Sequence, residues 1–109
     1  MISSDVIRGY SDILILFLLI GRDSYGYEIS KDIRELTDEK YIMKETTLYS
    51  AFTRLEKSGY IASYYKEGPQ KKRRTYFHIT DEGRRHYAEK CAEWRLVKEV
   101  VNQFIIEGK

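Results

Sequence analysis

The segment Thr46–Gly83 constrains the fold more than any other part of the chain. Within Thr46–Lys57, Leu48, Ala51, Phe52 and Leu55 fall on one stripe of a 3.6-residue period. Ser58-Gly59-Tyr60 then places a glycine where the left-handed residue after a helix belongs. Two strand-like runs follow, Ile61–Lys66 and Thr75–Thr80, in which successive residues alternate faces. Between them stands Glu67-Gly68-Pro69-Gln70-Lys71-Lys72-Arg73-Arg74, a turn ending in four consecutive cations. A helix leading through a glycine into a basic-tipped hairpin predicts a mainly α fold with a small β-wing, a winged helix-turn-helix.

At 109 residues the chain is long enough for one domain with a modest core. Its formal net charge of +2 points to no partner by itself. From Lys66 to Arg74, however, five cations stand against one anion, a local +4 that leaves −2 for the rest. Screening acts over about 8–10 Å, so a ligand feels the local value. A helix beside such a hairpin suits double-stranded DNA, with the helix in a groove and the wing on phosphates.

The remaining elements are read as helices. Asp5–Ile20 starts behind Ser3 or Ser4 as N-cap, and Ile13–Ile20 is apolar on every side, so it needs cover on more than one face. That run is too short to span a bilayer, which takes about 20 residues, and no cleavage site follows it. With one cysteine, Cys91, no internal disulfide forms; a cytoplasmic protein is expected. Asp23 or Ser24 caps a helix over Tyr25–Leu36 whose stripe is Gly26, Ile29, Ile33 and Leu36. Thr37–Lys44 is a polar connector, and Thr46 caps the next helix. Thr80 caps a last helix running to about Ile106, with Tyr87, Cys91, Trp94, Val97, Val101, Phe104 and Ile105 as its stripe. The chain is thus expected as residues 1–80, the winged unit, and 81–109, a C-terminal dimerisation helix, in one compact body. A monomer would expose the apolar end of that helix, so a homodimer through the first and last helices is expected, with Phe17, Cys91, Val97, Val101, Phe104 and Ile105 at its interface.

Thr46, Thr47, Tyr49, Ser50, Thr53 and Arg54 are the candidates for DNA contact from the helix, Arg54 on a phosphate rather than a base; Lys71, Lys72, Arg73 and Arg74 are those of the wing. The bland alternatives are a solvated helix face and a loop kept soluble by charge. Tyr64, Tyr65, Tyr76 and Phe77 could stack on single strands, but half of them packing on the helices fits better. His86 shares a face with Glu82 and Glu89; surface ion pairing outweighs a metal site, and no metal or other cofactor is expected. His78 is a strand residue. No phosphate loop, nucleophile elbow or paired-histidine motif is present, so the chain is not expected to be an enzyme.

The order and spacing of Tyr25-Gly26-Tyr27-Glu28-Ile29, Thr47-Leu48-Tyr49, Arg54–Ile61 and Arg73–Gly83 resemble the PadR family of bacterial transcriptional regulators, in the short form with a single C-terminal helix. One departure is Ser50, where the family commonly has proline. The resemblance implies a dimer that represses transcription on operator DNA and is released by a small-molecule effector. It also implies an aromatic-ligand pore beside a C-terminal-helix tryptophan. Trp94 is the matching residue, with Ile7, Leu14 and Leu18 as pore-lining candidates, although Trp94 reads equally as a dimer-core aromatic. The competing expectation is a winged protein–protein interaction module that does not bind DNA.

Overall fold

The computed structural model describes residues 2–107. Met1 and Lys109, the outer ends of the two expected segments, lie outside them. Ser3 caps the short helix α1 (Ser4–Ile7), its hydroxyl accepting from the Val6 amide. A 3-10 turn at Arg8–Tyr10 separates α1 from α2 (Ser11–Gly21), so the single helix expected over Asp5–Ile20 is broken at Gly9. The two-residue strand β1 (Ser24–Tyr25) leads into α3 (Gly26–Leu36). It replaces the expected cap: the Ser24 hydroxyl donates to Glu28 at 2.6 Å and caps no amide. Next come α4 (Glu45–Lys57), β2 (Ile61–Glu67), β3 (Arg73–Ile79) and α5 (Asp81–Asn102).

Several boundaries differ from expectation for local reasons. Helix α4 is capped two residues early, at Lys44 rather than Thr46, with no side-chain cap bond. Helix α5 ends at Asn102, not Ile106; the amides of Gln103 and Phe104 turn back onto Val100 and Val101. Leu36, placed on the buried stripe of α3 by its period, is exposed. In the connector, Thr37 turns its hydroxyl onto the Ile33 and Tyr41 carbonyls, and Tyr41 and Met43 drop into the core while Ile42 stays outside.

The sheet has the order β1-β3-β2, all antiparallel. Its register pairs Ile61 with Ile79, Tyr64 with Tyr76 and Ser24 with Phe77. The core gathers Ile15, Leu16 and Leu19 of α2, Ile29 and Ile33 of α3, Leu48, Phe52 and Leu55 of α4, and Ile61, Phe77 and Ile79 from the sheet. The α4 stripe is therefore the one its period foretold. Phe52 stacks on Phe77 with ring centroids 4.1 Å apart, fixing α4 to the base of the wing. Gly59 takes φ +81° and the Tyr60 amide bonds back to Leu55 at 2.9 Å, the left-handed helix ending expected of it. Thr80 caps α5 by accepting from the Gly83 amide at 3.0 Å. Among the described residues no helix is long and apolar enough to cross a membrane.

Candidate nucleic-acid interface

Helix α4 turns its apolar stripe inward and so presents Thr46, Tyr49, Ser50 and Thr53 outward, all exposed, with Thr47 half-buried. The Thr53 hydroxyl folds back onto the Tyr49 carbonyl at 3.0 Å. Tyr49 packs edge-on against Phe52, and its hydroxyl reaches over Gly26, where a Cβ would stand only 2.6 Å from it. Glycine at position 26 is what lets this ring lie against α3.

Arg54 is exposed but has an internal partner that its sequence reading did not include. Its guanidinium grips Asp12 of α2 with bonds of 3.1 and 2.7 Å. His86 of α5 bonds the same carboxylate at 2.9 Å, and its ring stacks on Tyr60 with centroids 4.0 Å apart. Its partner is thus an interior carboxylate rather than Glu82 or Glu89, and it is not a surface residue. Burial pushes the Asp12 carboxyl up, but the bonds and charges of Arg54 and His86 outweigh this and hold it below the ordinary value. The ionised carboxylate accepts from all three nitrogens. The bond to Asp12 in turn pushes Arg54 upward. The sequence offered one hint of this centre: Asp12 stands just before an otherwise apolar run.

The wing divides its four cations. Lys71 and Lys72 are exposed at the tip, where Gln70 and Lys71 both take φ +60°, a left-handed conformation uncommon for residues other than glycine. Arg73 and Arg74 belong to β3 and lie over tyrosine rings, Arg73 over Tyr65 at 4.1 Å and Arg74 over Tyr25 at 4.3 Å. Of the four hairpin aromatics, Phe77 is core, Tyr76 is half-buried, and Tyr64 and Tyr65 are exposed. The Tyr64 hydroxyl donates to Asp23 at 2.7 Å, and His78 Nδ1 lies 2.8 Å from the same carboxylate, tying the wing to the end of α2. Slight burial of the Asp23 carboxyl, which would raise it, is outweighed by Tyr64, His78 and Lys66, which lower it.

Two of the open grooves beside α4 lie on opposite sides of its exposed face. One, of about 330 Å³, runs between Tyr49 and the wing arginines. The other, of about 300 Å³, lies on the opposite side and is bordered by Thr47, Ser50 and Arg54 of α4 and by Arg8 and Ser11.

Away from α4, an open cleft of about 610 Å³ separates α1 and α2 from α5, with Ile7, Tyr10, Leu14, Trp94, Val97 and Val101 on its walls. Trp94 meets Tyr10 edge-to-face at 5.1 Å and is 42% exposed. Leu18 is not part of this cleft. It borders a separate hollow of about 120 Å³ with Phe17 and Tyr87. Of the residues expected at a dimer interface, Cys91 and Val97 are half-buried within the chain, while Phe17, Val101, Phe104 and Ile105 are exposed.

A helix-turn-helix pair followed by an antiparallel wing defines the winged-helix class of transcriptional regulators. The sequence pattern of the PadR-like family of transcriptional regulators matches residues 15–89, and the chain belongs to that family. A solved transcriptional regulator from Clostridium thermocellum is 65% identical, with a TM-score of 0.89 over 94% of this chain and 100% of that one. A PadR family transcription regulator from Clostridium difficile is 44% identical, with a TM-score of 0.74 over 87% of this chain and 97% of that one. An uncharacterised protein of Lysinibacillus sphaericus is 42% identical across 96% of both chains. The chain is accordingly a transcriptional regulator and not an enzyme.

Proposed function

We propose that the chain is a cytoplasmic, homodimeric repressor that occupies operator DNA and is released when a small aromatic effector binds. The observation that carries this reading is the pairing of an outward hydroxyl face on α4 with a wing whose tip bears Lys71 and Lys72. Thr46, Thr47, Tyr49 and Ser50 face base edges and nearby phosphates, and Lys71, Lys72, Arg73 and Arg74 follow the backbone. Arg54 supports them from the flank, because its guanidinium is already bonded to Asp12. Residues 1–80 form the DNA-binding unit, and 81–109 carry dimerisation.

The effector site is the cleft beside Trp94, whose walls come from α1, α2 and α5, and α2 and α5 also carry the proposed dimer contact. A ligand that prefers one spacing of α5 against α2 shifts the two α4 helices relative to half-sites about one DNA turn apart.

The test is fluorescence anisotropy with labelled duplex DNA at two salt concentrations, with Trp94 emission followed during titration with planar aromatic compounds. Salt-sensitive duplex binding is expected; its absence at low salt for every duplex in a random pool favours the protein–protein module instead. No change in Trp94 emission with any such compound removes the aromatic effector and leaves Trp94 as a dimer-core ring.

A further inference from the structure

We infer that Arg8, on the 3-10 turn that breaks the first helix, seats a DNA backbone phosphate in the groove on the side of α4 away from the wing. The inference rests on the DNA-binding reading above. A helix lying in a major groove runs between two phosphate strands, and the wing meets only one of them. At 3.6 residues per turn, Tyr49 stands roughly 150° around α4 from Thr47 and Arg54. Tyr49 borders the wing-side groove, whereas Thr47 and Arg54 border the other. Between these flanks lie Thr46, Ser50 and Thr53, the exposed face.

The far groove has what a phosphate requires. Thr46, Thr47 and Ser50 line one wall, and Arg8 and Arg54 stand along it. Arg54 is fixed by its grip on Asp12 and keeps about half of its side chain exposed. Arg8 is the less constrained charge of the pair. Its bond to Asp5, 3.1 Å and three residues away, is between side chains 71% and 88% exposed. Such a surface pair is weak and can give way to a phosphate. The break at Gly9 matters here, since it is the 3-10 turn that brings Arg8 to the edge of α4 beside Ser11.

The test uses the full chain and a fluorescein-labelled duplex selected by the wild-type protein from a random pool. Arg8→Gln, Arg8→Lys, Asp5→Asn and, as a control on the wing, Lys71→Gln are compared by anisotropy between 50 and 200 mM salt. Loss of one phosphate contact lowers the slope of log affinity against log salt by about 1 for each bound copy. Arg8→Gln is expected to show that loss, Arg8→Lys to keep most of the slope, and Asp5→Asn to bind more tightly than wild type. Arg8 is exposed, so circular dichroism should find all four variants folded. A wild-type slope for Arg8→Gln alongside a reduced one for Lys71→Gln overturns the Arg8 seat and leaves DNA binding intact. Enrichment of no duplex by the wild-type chain overturns both.

Discussion

Asp12 and Arg54 meet fork to fork across the interface of α2 and α4, with bonds of 2.7 and 3.1 Å, and Asp12 is the one acidic side chain buried among the described residues. With His86 on the same carboxylate, three helices share one charge centre. Removing the carboxylate leaves His86 without its partner in the interior, and Asp12→Asn should cost about 2 kcal/mol near neutral pH. The native carboxyl loses its proton more readily than in the unfolded chain, where the ordinary value is 3.8. Its contribution is therefore complete above that value and is lost as pH falls through the lower native one. The gap between wild type and Asp12→Asn in urea midpoint should keep its full size from neutral pH down to about pH 5 and shrink below about pH 4. A gap that stays constant from neutral to acid contradicts the pairing.

Two glycines separate a soft collision from a hard one. At Gly26 an added Cβ meets the hydroxyl end of the Tyr49 ring at 2.6 Å, and that ring is 49% exposed and can swing away. Gly26→Ala should cost under about 1 kcal/mol in stability while weakening DNA binding, because Tyr49 leaves its place beside the exposed face. At Gly83 the added Cβ falls on the Tyr60 backbone carbonyl, which also accepts from the Thr80 amide at 3.1 Å. Neither backbone can yield, so Gly83→Ala should cost about 1–3 kcal/mol or more by shifting the start of α5. Denaturant melts of the two variants, read beside their duplex affinities, distinguish the cases.

How far the sequence carried this fold depends on what each residue answers to. The α4 stripe, Gly59 and the Thr80 cap follow from local periodicity and backbone preference, and all three were legible. The break at Gly9 and strand β1 were not, because β1 exists only through its pairing with Tyr76 and Phe77, some fifty residues away. Leu36 obeyed the period and is nevertheless outside, since the chain turns at Thr37 to send Tyr41 and Met43 into the core. At the candidate interface the residue types were legible, but the bond that holds Arg54 from inside was not, because Asp12 is forty-two positions earlier. Such pairs have no signature in spacing.

The wing cations should separate into two kinds. Lys71→Gln and Lys72→Gln remove exposed tip charges, and each should lower the salt slope of duplex binding by about 1 per copy. Tyr65→Leu keeps the Arg73 charge but removes the ring beneath it. The slope should then hold while affinity falls about 2–5-fold, matching the 0.5–1 kcal/mol of an exposed cation–π contact. A Tyr65→Leu variant with wild-type affinity and slope would mean that the ring does not position Arg73.

The far end of α5 and the turn after it carry the last expectation. Val101, Phe104 and Ile105 are 48%, 81% and 60% exposed, and Phe17 on α2 is exposed as well. An apolar surface of this kind needs a cover, and in the proposed homodimer a second copy supplies a self-complementary one. Val101→Glu with Phe104→Glu places like charges in both halves of such a contact, where burying them unpaired is costly. Sedimentation should find the wild type at the mass of two chains and the double variant at that of one, still folded because neither side chain belongs to the core. Duplex affinity should fall steeply and the salt slope should roughly halve, as a monomer meets one half-site instead of two. A double variant that remains dimeric places the contact elsewhere on the chain.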